Sequence, residues 1–176
     1  MKLHLVHVAL AATLAAAEGP AQSAVTTLPP NAFQIAQQRS VAAGPERLQP
    51  ALSAVASWWN VKHTFSGNAA NLNLEPRAGG CFCERWDQGS VQHLQVVMAE
   101  PGIVRLAGAM GPLQGLAVQG VMTISIEAKD GKNTLSVVYR VGGVDAASME
   151  KWPAAVDAMI GETTDRLAAY LNDGAH

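Results

Sequence analysis

The chain has 176 residues, of which 49% are hydrophobic and 15% charged, with a formal net charge of −2. That length suits a single domain with a sizeable core, because domains cluster at about 100 to 150 residues. The near-neutral charge excludes an electrostatic nucleic-acid binder, so we expect no nucleic-acid partner.

Residues 1–17 predict a secretory signal peptide. Lys2 supplies one positive charge, residues 5–14 form an apolar run, and three alanines then suit cleavage after Ala17. A second cleavage site lies near Ala24. Because of this leader, we expect the protein to be exported. A bilayer span takes roughly 20 apolar residues and no stretch here is that long, so we expect no integral membrane segment after cleavage.

Changes in composition divide the rest of the chain. Residues 18–31 predict a linker, in which Thr and Pro are concentrated, and residues 32–172 predict a single domain. A strand at residues 33–41 opens this domain. A short helix follows, which begins at Pro45 and carries apolar side chains at helical spacing as far as Trp58.

The middle of the domain has period-two patterning that is interrupted by turn residues. After a brief strand at residues 72–75, this pattern predicts antiparallel strands in meander order at residues 81–86, 91–99, 103–109, 120–128 and 134–141. Apolar residues then recur at intervals of three and four from Trp152 to Leu171, which predicts one long C-terminal helix. The elements together predict an α+β fold, with a curved antiparallel sheet wrapped around that helix and an apolar gap between the two.

Two motifs carry a resemblance to a known superfamily. Trp58-Trp59 precedes the sequence His-Thr-Phe-Ser-Gly at residues 63–67, and residues 79–84 are Gly-Gly-Cys-Phe-Cys-Glu. With the order of elements, they resemble the START-like, or SRPBCC, superfamily, and within it exported bacterial members described as polyketide cyclase-like or heat-shock ATPase activator-like. The resemblance spans residues 33–171 and implies the helix-grip fold shared with the birch-pollen allergen. It implies no single activity, because one scaffold hosts carriers, receptors, cyclases and co-chaperones.

The gap between sheet and helix is the candidate site, and it predicts an apolar or amphipathic small molecule as ligand. Paired indoles can roof such a ligand, and flexible methionines can adapt to it. The candidate binding residues are Trp58, Trp59, His63, Phe82, Glu84, Leu94, Val96, Met98, Met122, Ile124, Tyr139, Val156, Met159 and Ile160.

Three side chains could supply acid–base chemistry in the same pocket, namely His63, Glu84 and His93. They suit an enzyme of the cyclase or isomerase type, which is the alternative to simple binding. A protein-binding module in envelope assembly is a third possibility. Binding is favoured because acid–base groups are few and the apolar lining is extensive, but the sequence leaves open whether any reaction occurs. No nucleotide or nucleophile motif is present, so we expect no cofactor.

Cys81 and Cys83 raise two further questions. On a regular strand their Cβ atoms are too far apart for good disulfide geometry, so we expect no bridge between them. With His93 they could offer metal ligands, but the sequence lacks the paired C-x₂₋₄-C spacing of structural zinc sites. We therefore expect no bound metal.

The hairpin that contains Cys81 has two possible registers. A three-residue loop that ends with a left-handed Gly89 would place Cys83 opposite His93, with both thiols and the imidazole on the outer face. A two-residue loop would instead place Glu84 opposite His93. We favour the first register, because it collects the large apolar residues on the inner face.

Overall fold

The structure is a computed structural model that describes residues 22–27, 31–144 and 149–174. The predicted signal peptide lies outside these residues. Within them, one antiparallel sheet of eight strands packs against one long helix. No helix in this part of the chain is long and apolar enough to cross a membrane.

The strands are β1 (Gln22–Thr27), β2 (Ala32–Val41), β3 (Leu72–Leu74), β4 (Cys81–Trp86), β5 (Gly89–Glu100), β6 (Ile103–Ala107), β7 (Val118–Lys129) and β8 (Lys132–Gly143). The helices are α1 (Leu48–Ser53), α2 (Val55–Trp58) and α3 (Pro153–Asp173), and 3-10 turns lie at Pro45–Arg47, Val61–His63, Ala69–Asn71 and Gly111–Gly115. The order across the sheet is β1-β2-β8-β7-β6-β5-β4-β3. The prediction of an α+β helix-grip fold with a meander and a long C-terminal helix is confirmed.

Two elements differ from the prediction. The segment expected to be a linker contains β1, which pairs antiparallel with β2 and forms one edge of the sheet. The expected short helix is interrupted at Ala54, whose φ of −87° and ψ of 24° end α1 and begin α2. The two helices still lie where the sequence places one, between β2 and the loops that lead to β3.

The core forms where α3 crosses the inner face of the sheet. Alternate residues of β7 and β8 are buried, as the period-two pattern predicts. The helix contributes one buried stripe, which consists of Val156, Ile160, Thr164, Leu167, Ala168 and Leu171. Burying each large apolar side chain contributes about 1.5–3 kcal/mol, so this interface fixes the helix against the sheet.

The loop between β4 and β5 has a register that we did not predict. Trp86 pairs with Gly89, which leaves Asp87 and Gln88 as a two-residue loop. Gly89 does not have a positive φ. The absence of a side chain at Gly89 instead leaves room for the Trp86 ring, because a Cβ atom would lie 2.7 Å from Cζ2 of that ring.

A β-bulge further along the same hairpin sets the geometry of the site. Phe82 pairs with Leu94 as predicted, but Cys83 pairs with Gln92, so His93 is an extra residue on β5. His93 and Leu94 are consequently both buried. The prediction that His93 shares the outer face with the two thiols is wrong, because it assumed a regular ladder.

Cys81 and Cys83 form a disulfide, which corrects the expectation of no bridge. Their Cα atoms are 5.3 Å apart, within the usual range for disulfides, whereas a regular strand would separate them by about 6.6 Å. The chain between the two cysteines is therefore more contracted than a regular strand. The disulfide also removes the alternative of a metal site at Cys81, Cys83 and His93, and the described residues contain no other cluster suited to a metal ion.

A second bulge turns Met98 away from the predicted pocket. Val96 pairs with Leu106, but Met98 pairs with Arg105, so Val97 is the extra residue. Nη1 of Arg105 lies 3.8 Å from Sδ of Met98. Because Arg105 lies between two buried neighbours on β6, both it and Met98 belong to the outer face.

Candidate functional site

A cleft of about 290 Å³ opens at one end of the interface between sheet and helix. Its walls come from the loop after α2, the turn after β6, the bulge of β5 and the first half of α3. Most of the lining is apolar. The lining residues are Trp59, Lys62, His63, Thr64, Phe65, His93, Met110, Gly111, Pro112 and Met159.

A much smaller space lies beneath the middle of α3, where the sequence places the ligand. Its volume is about 30 Å³, enough for about one or two water molecules. Side chains from the sheet fill the rest of the gap, so the ligand-sized space lies at the end of the helix–sheet interface. Trp59 and Met110 line both spaces and form the wall between them.

The predicted binding residues therefore separate into groups. The cleft is lined by Trp59, His63, Met159 and the acid–base candidate His93. The small inner space is lined by Trp58, Trp59, Phe82, Leu94, Met122, Ile124 and Ile160. The residues buried without lining either space are Glu84, Val96, Tyr139 and Val156, and Met98 is on the outer face.

Sequence reasoning missed the parts of the cleft that come from irregular loops. Lys62, Thr64 and Phe65 belong to the loop after α2, and Gly111 and Pro112 to the turn after β6. No periodicity marks such residues. The one available signal is composition, since an aromatic residue beside Ser-Gly and a Gly-Pro step indicate loops with fixed shapes.

Aromatic rings connect the inner core to the floor of the cleft. The ring centroid of Phe82 is 5.1 Å from Trp59 and 4.9 Å from His93. The ring centroid of Phe65 lies 5.8 Å from that of His93, and Phe65 itself is 55% exposed. The imidazole therefore contacts two phenyl rings, and His93 is only 3% exposed.

Glu84 lies behind His93 and is fully buried. Its Oε2 accepts a hydrogen bond from the backbone N–H of Phe65 at 3.0 Å and lies 3.2 Å from Nε2 of His93, while Oε1 accepts from the N–H of Ser66 at 2.5 Å. Burial by itself would raise the pKa of Glu84, but the hydrogen bonds with Ser66, Phe65 and His93 together lower that pKa below its usual value. The carboxylate is ionised at neutral pH, and it fixes the loop at the rim of the cleft.

His93 is neutral at neutral pH. Burial lowers the pKa of the imidazole below its usual value, and this outweighs the opposing effect of the nearby Glu84 carboxylate. Because the ionised carboxylate accepts a hydrogen bond, Nε2 carries the hydrogen and Nδ1 is the unprotonated nitrogen.

The second histidine pairs with a carboxylate at the mouth of the cleft. Nε2 of His63 lies 2.9 Å from Oε2 of Glu162 on α3, and the amide of Asn60 donates to the other oxygen. These hydrogen bonds with His63 and Asn60 lower the pKa of Glu162. The pair ties the loop after α2 to the helix. The three acid–base candidates therefore belong to two separate histidine–carboxylate pairs, and both histidines line the same cleft.

Tyr139 anchors the opposite wall from within the sheet. Its hydroxyl accepts a hydrogen bond from the N–H of Met110 at 3.1 Å and donates one to the carbonyl of Gly108 at 3.0 Å. Burial raises the pKa of this phenol to about 12, so it remains protonated. The position of the turn after β6, and hence of Met110 and Pro112 in the cleft, depends on this buried residue.

The sheet order, the long C-terminal helix and the cleft define a protein of the helix-grip class. No family model matches the sequence, and no curated protein matches it either. Solved structures are similar in fold. The Aha1 dimer of Colwellia psychrerythraea has a TM-score of 0.56 at 14% identity, covering 80% of this chain and 97% of that one.

Two further solved structures give the same result. An uncharacterised protein from Rhizobium leguminosarum has a TM-score of 0.57 at 16% identity, covering 88% of this chain and 99% of that one. Protein Ms6760 from Mycobacterium smegmatis has a TM-score of 0.57 at 13% identity, covering 89% of this chain and 100% of that one. At such identities the likeness shows the fold alone, which is consistent with the SRPBCC-like resemblance of the sequence.

Proposed function

We propose that the protein binds a small apolar or amphipathic molecule in the cleft. The observation that supports this is a space of about 290 Å³ with largely apolar walls. That volume is close to the lower end of small-molecule sites, which measure about 300–1,000 Å³. Polar side chains are few, as expected where orientation is set by a small number of contacts. They are His93, His63, Thr64 and the exposed Lys62.

The wall between the cleft and the inner space suits a site that adapts to its ligand. Met110 and Met159 have flexible thioether side chains. Met110 is 5% exposed and separates the two spaces, so a change of its rotamer would join them. A ligand longer than the cleft could then extend beneath α3.

Filling the cleft tests this proposal. We expect 1-methoxynaphthalene to bind the wild-type chain, and Met159→Trp to weaken that binding about tenfold or more, because the indole would occupy the space. Val121→Trp is the matched control, since Val121 is 42% exposed on β7 and does not line the cleft. Titration calorimetry gives both affinities. Equal weakening by both substitutions, or a wild-type chain that binds neither 1-methoxynaphthalene nor the related probes 1-naphthol and 1-naphthoate, would contradict the proposal.

A second candidate function is an acid–base enzyme of the cyclase or isomerase type. The buried pair of Glu84 and His93 favours it, because a carboxylate that orients a neutral imidazole beside a cleft is an arrangement suited to a general base. The resemblance of the sequence to exported proteins described as polyketide cyclase-like also supports this second candidate function. Native mass spectrometry of the protein from its own cells, followed by extraction, separates the two functions. The extracted ligand is then incubated with the purified protein. A ligand that is recovered unchanged supports binding, and a ligand that is converted to a product supports catalysis.

Export is part of the proposal. The leader at residues 1–17 supports it, and so does the disulfide between Cys81 and Cys83, because such bonds persist in oxidising compartments. We expect the N-terminus of the mature protein to lie between residues 18 and 25, and no thiol to react with an alkylating reagent until the protein is reduced. N-terminal sequencing and intact-mass measurement check both, and an intact Met1 in envelope fractions would contradict export.

A further inference from the structure

The floor of the cleft offers one polar atom in a defined orientation. The His93 ring contacts the rings of Phe82 and Phe65, and its Nε2 lies 3.2 Å from the carboxylate of Glu84. These two ring contacts and one hydrogen bond leave the imidazole little freedom to rotate. Its remaining nitrogen, Nδ1, therefore keeps a fixed direction.

Nδ1 has no partner in the described part of the protein. Among the described residues, the His93 ring makes a single hydrogen bond, from Nε2 to Glu84. Among the same residues, the sole enclosed side-chain nitrogen or oxygen without a hydrogen bond is Nε1 of Trp152. Nδ1 of His93 is thus not sealed inside the core. His93 lines both the cleft and a more polar hollow beside Gly108 and Gln114. The cleft is the apolar one of the two and contains Phe65, whose ring contacts the imidazole, so it is the space from which an apolar ligand would reach Nδ1.

The charge behind His93 determines which ligand groups Nδ1 can accept. Because Nε2 donates to the Glu84 carboxylate, Nδ1 presents a lone pair to the cleft. A ligand carboxylate would face this lone pair with the negative charge of Glu84 directly behind it, which is unfavourable in a buried site. The cation of Lys62 does not offset this, since its side chain is exposed at the rim, where water and salt screen it.

We infer that the cleft selects a neutral molecule with an apolar body and one hydroxyl group, such as a phenol or an enol, whose O–H donates a hydrogen bond to Nδ1 of His93. This inference rests on the proposed function and names its ligand class. The hydroxyl lies at the floor beside Phe65, and the apolar body lies against Met110, Pro112 and Met159.

A matched set of three probes tests the inference by titration calorimetry near neutral pH. The probes are 1-naphthol, which donates a hydrogen bond, 1-methoxynaphthalene, which cannot, and 1-naphthoate, which is an anion. We expect 1-naphthol to bind about tenfold more tightly than its methyl ether and more tightly than the anion. In His93→Phe, which keeps a ring of similar size without nitrogen, the ratio of naphthol to ether affinity should fall to about one.

The outcomes separate the inference from the proposed function. If none of the three probes binds the wild-type chain, the proposed function fails. If 1-naphthol and 1-methoxynaphthalene bind equally, if the preference persists in His93→Phe, or if 1-naphthoate binds most tightly, the inference alone is overturned. Should His93→Phe not fold, the ¹⁵N resonance of Nδ1 in the wild type provides the second measurement. This resonance should shift when 1-naphthol is added and should stay constant when 1-methoxynaphthalene is added. Equal shifts of the resonance with the two probes would overturn the inference.

Discussion

Replacing Glu84 with alanine is expected to lower the free energy of unfolding by about 3 kcal/mol. The carboxylate is fully buried and serves the N–H groups of Phe65 and Ser66 as well as the ring of His93. Removal of Glu84 leaves these donors without an acceptor in a site that water reaches poorly. The loop at the rim should loosen, so binding of 1-methoxynaphthalene should weaken together with stability.

Glu84→Gln separates hydrogen bonding from charge. The amide retains one acceptor oxygen, so we expect a smaller loss of about 1–2 kcal/mol. Glu127→Gln is the matched control, because Glu127 is an exposed carboxylate on β7, and its replacement should change stability by less than about 0.5 kcal/mol. Urea denaturation near neutral pH measures all three variants. An Ala variant as stable as the control would show that the carboxylate does not hold the loop.

Glu84 and His93 together make the protein less stable in acid. The pKa of Glu84 is lowered in the folded protein, so its contribution is fully present above the unfolded value of 4.5 and is lost as the pH falls through the folded pKa. The pKa of His93 is also lowered, and below about pH 6.5 the unfolded chain therefore takes up a proton that the folded protein resists. Both effects reduce stability as the pH falls from neutral. In Glu84→Gln the carboxylate part of this dependence should disappear while the imidazole part remains.

Regular elements of this fold could be predicted because their physical signal is local. The alternation in β7 and β8 and the three-four spacing in α3 each reflect one face that the fold buries. Glycine and proline then mark where these segments stop. The turn at Asp130-Gly131 is an example, since both residues have the positive φ that a two-residue hairpin loop requires.

The site could not be predicted in the same way, because it depends on departures from regularity. One extra residue at His93 moves the imidazole from the outer face to the inner one, and no local pattern distinguishes a bulge from a regular strand. The disulfide between Cys81 and Cys83 was missed for the same reason. The register with a two-residue loop, which we did not favour, placed Glu84 directly opposite His93. In the structure Glu84 pairs with Val91, and its contact with His93 arises from the bulge.

Replacing Gly120 with alanine should be almost as disruptive as removing Glu84, although it adds only one methyl group. Its Cβ would lie 2.5 Å from Cε2 of Tyr139, 2.7 Å from the hydroxyl of that residue and 2.8 Å from the carbonyl oxygen of Gly108. Tyr139 is fully buried and cannot move aside without repacking the core. We expect the free energy of unfolding to fall by about 2–3 kcal/mol, because the core is overpacked and the hydrogen bonds of Tyr139 are disturbed.

The consequence should reach the cleft, because Tyr139 holds the N–H of Met110 and the carbonyl of Gly108. Gly120→Ala should therefore weaken 1-methoxynaphthalene binding, and Tyr139→Phe should do so with a smaller stability loss of about 1–2 kcal/mol, since it removes the hydroxyl but adds no clash. Gly115→Ala, in the turn that precedes β7, is the matched control, because nothing lies within 4 Å of the Cβ it would add. Thermal denaturation and calorimetry measure both properties. If Gly120→Ala lowers stability but binding remains at the level of Gly115→Ala, the buried tyrosine does not position the wall of the cleft.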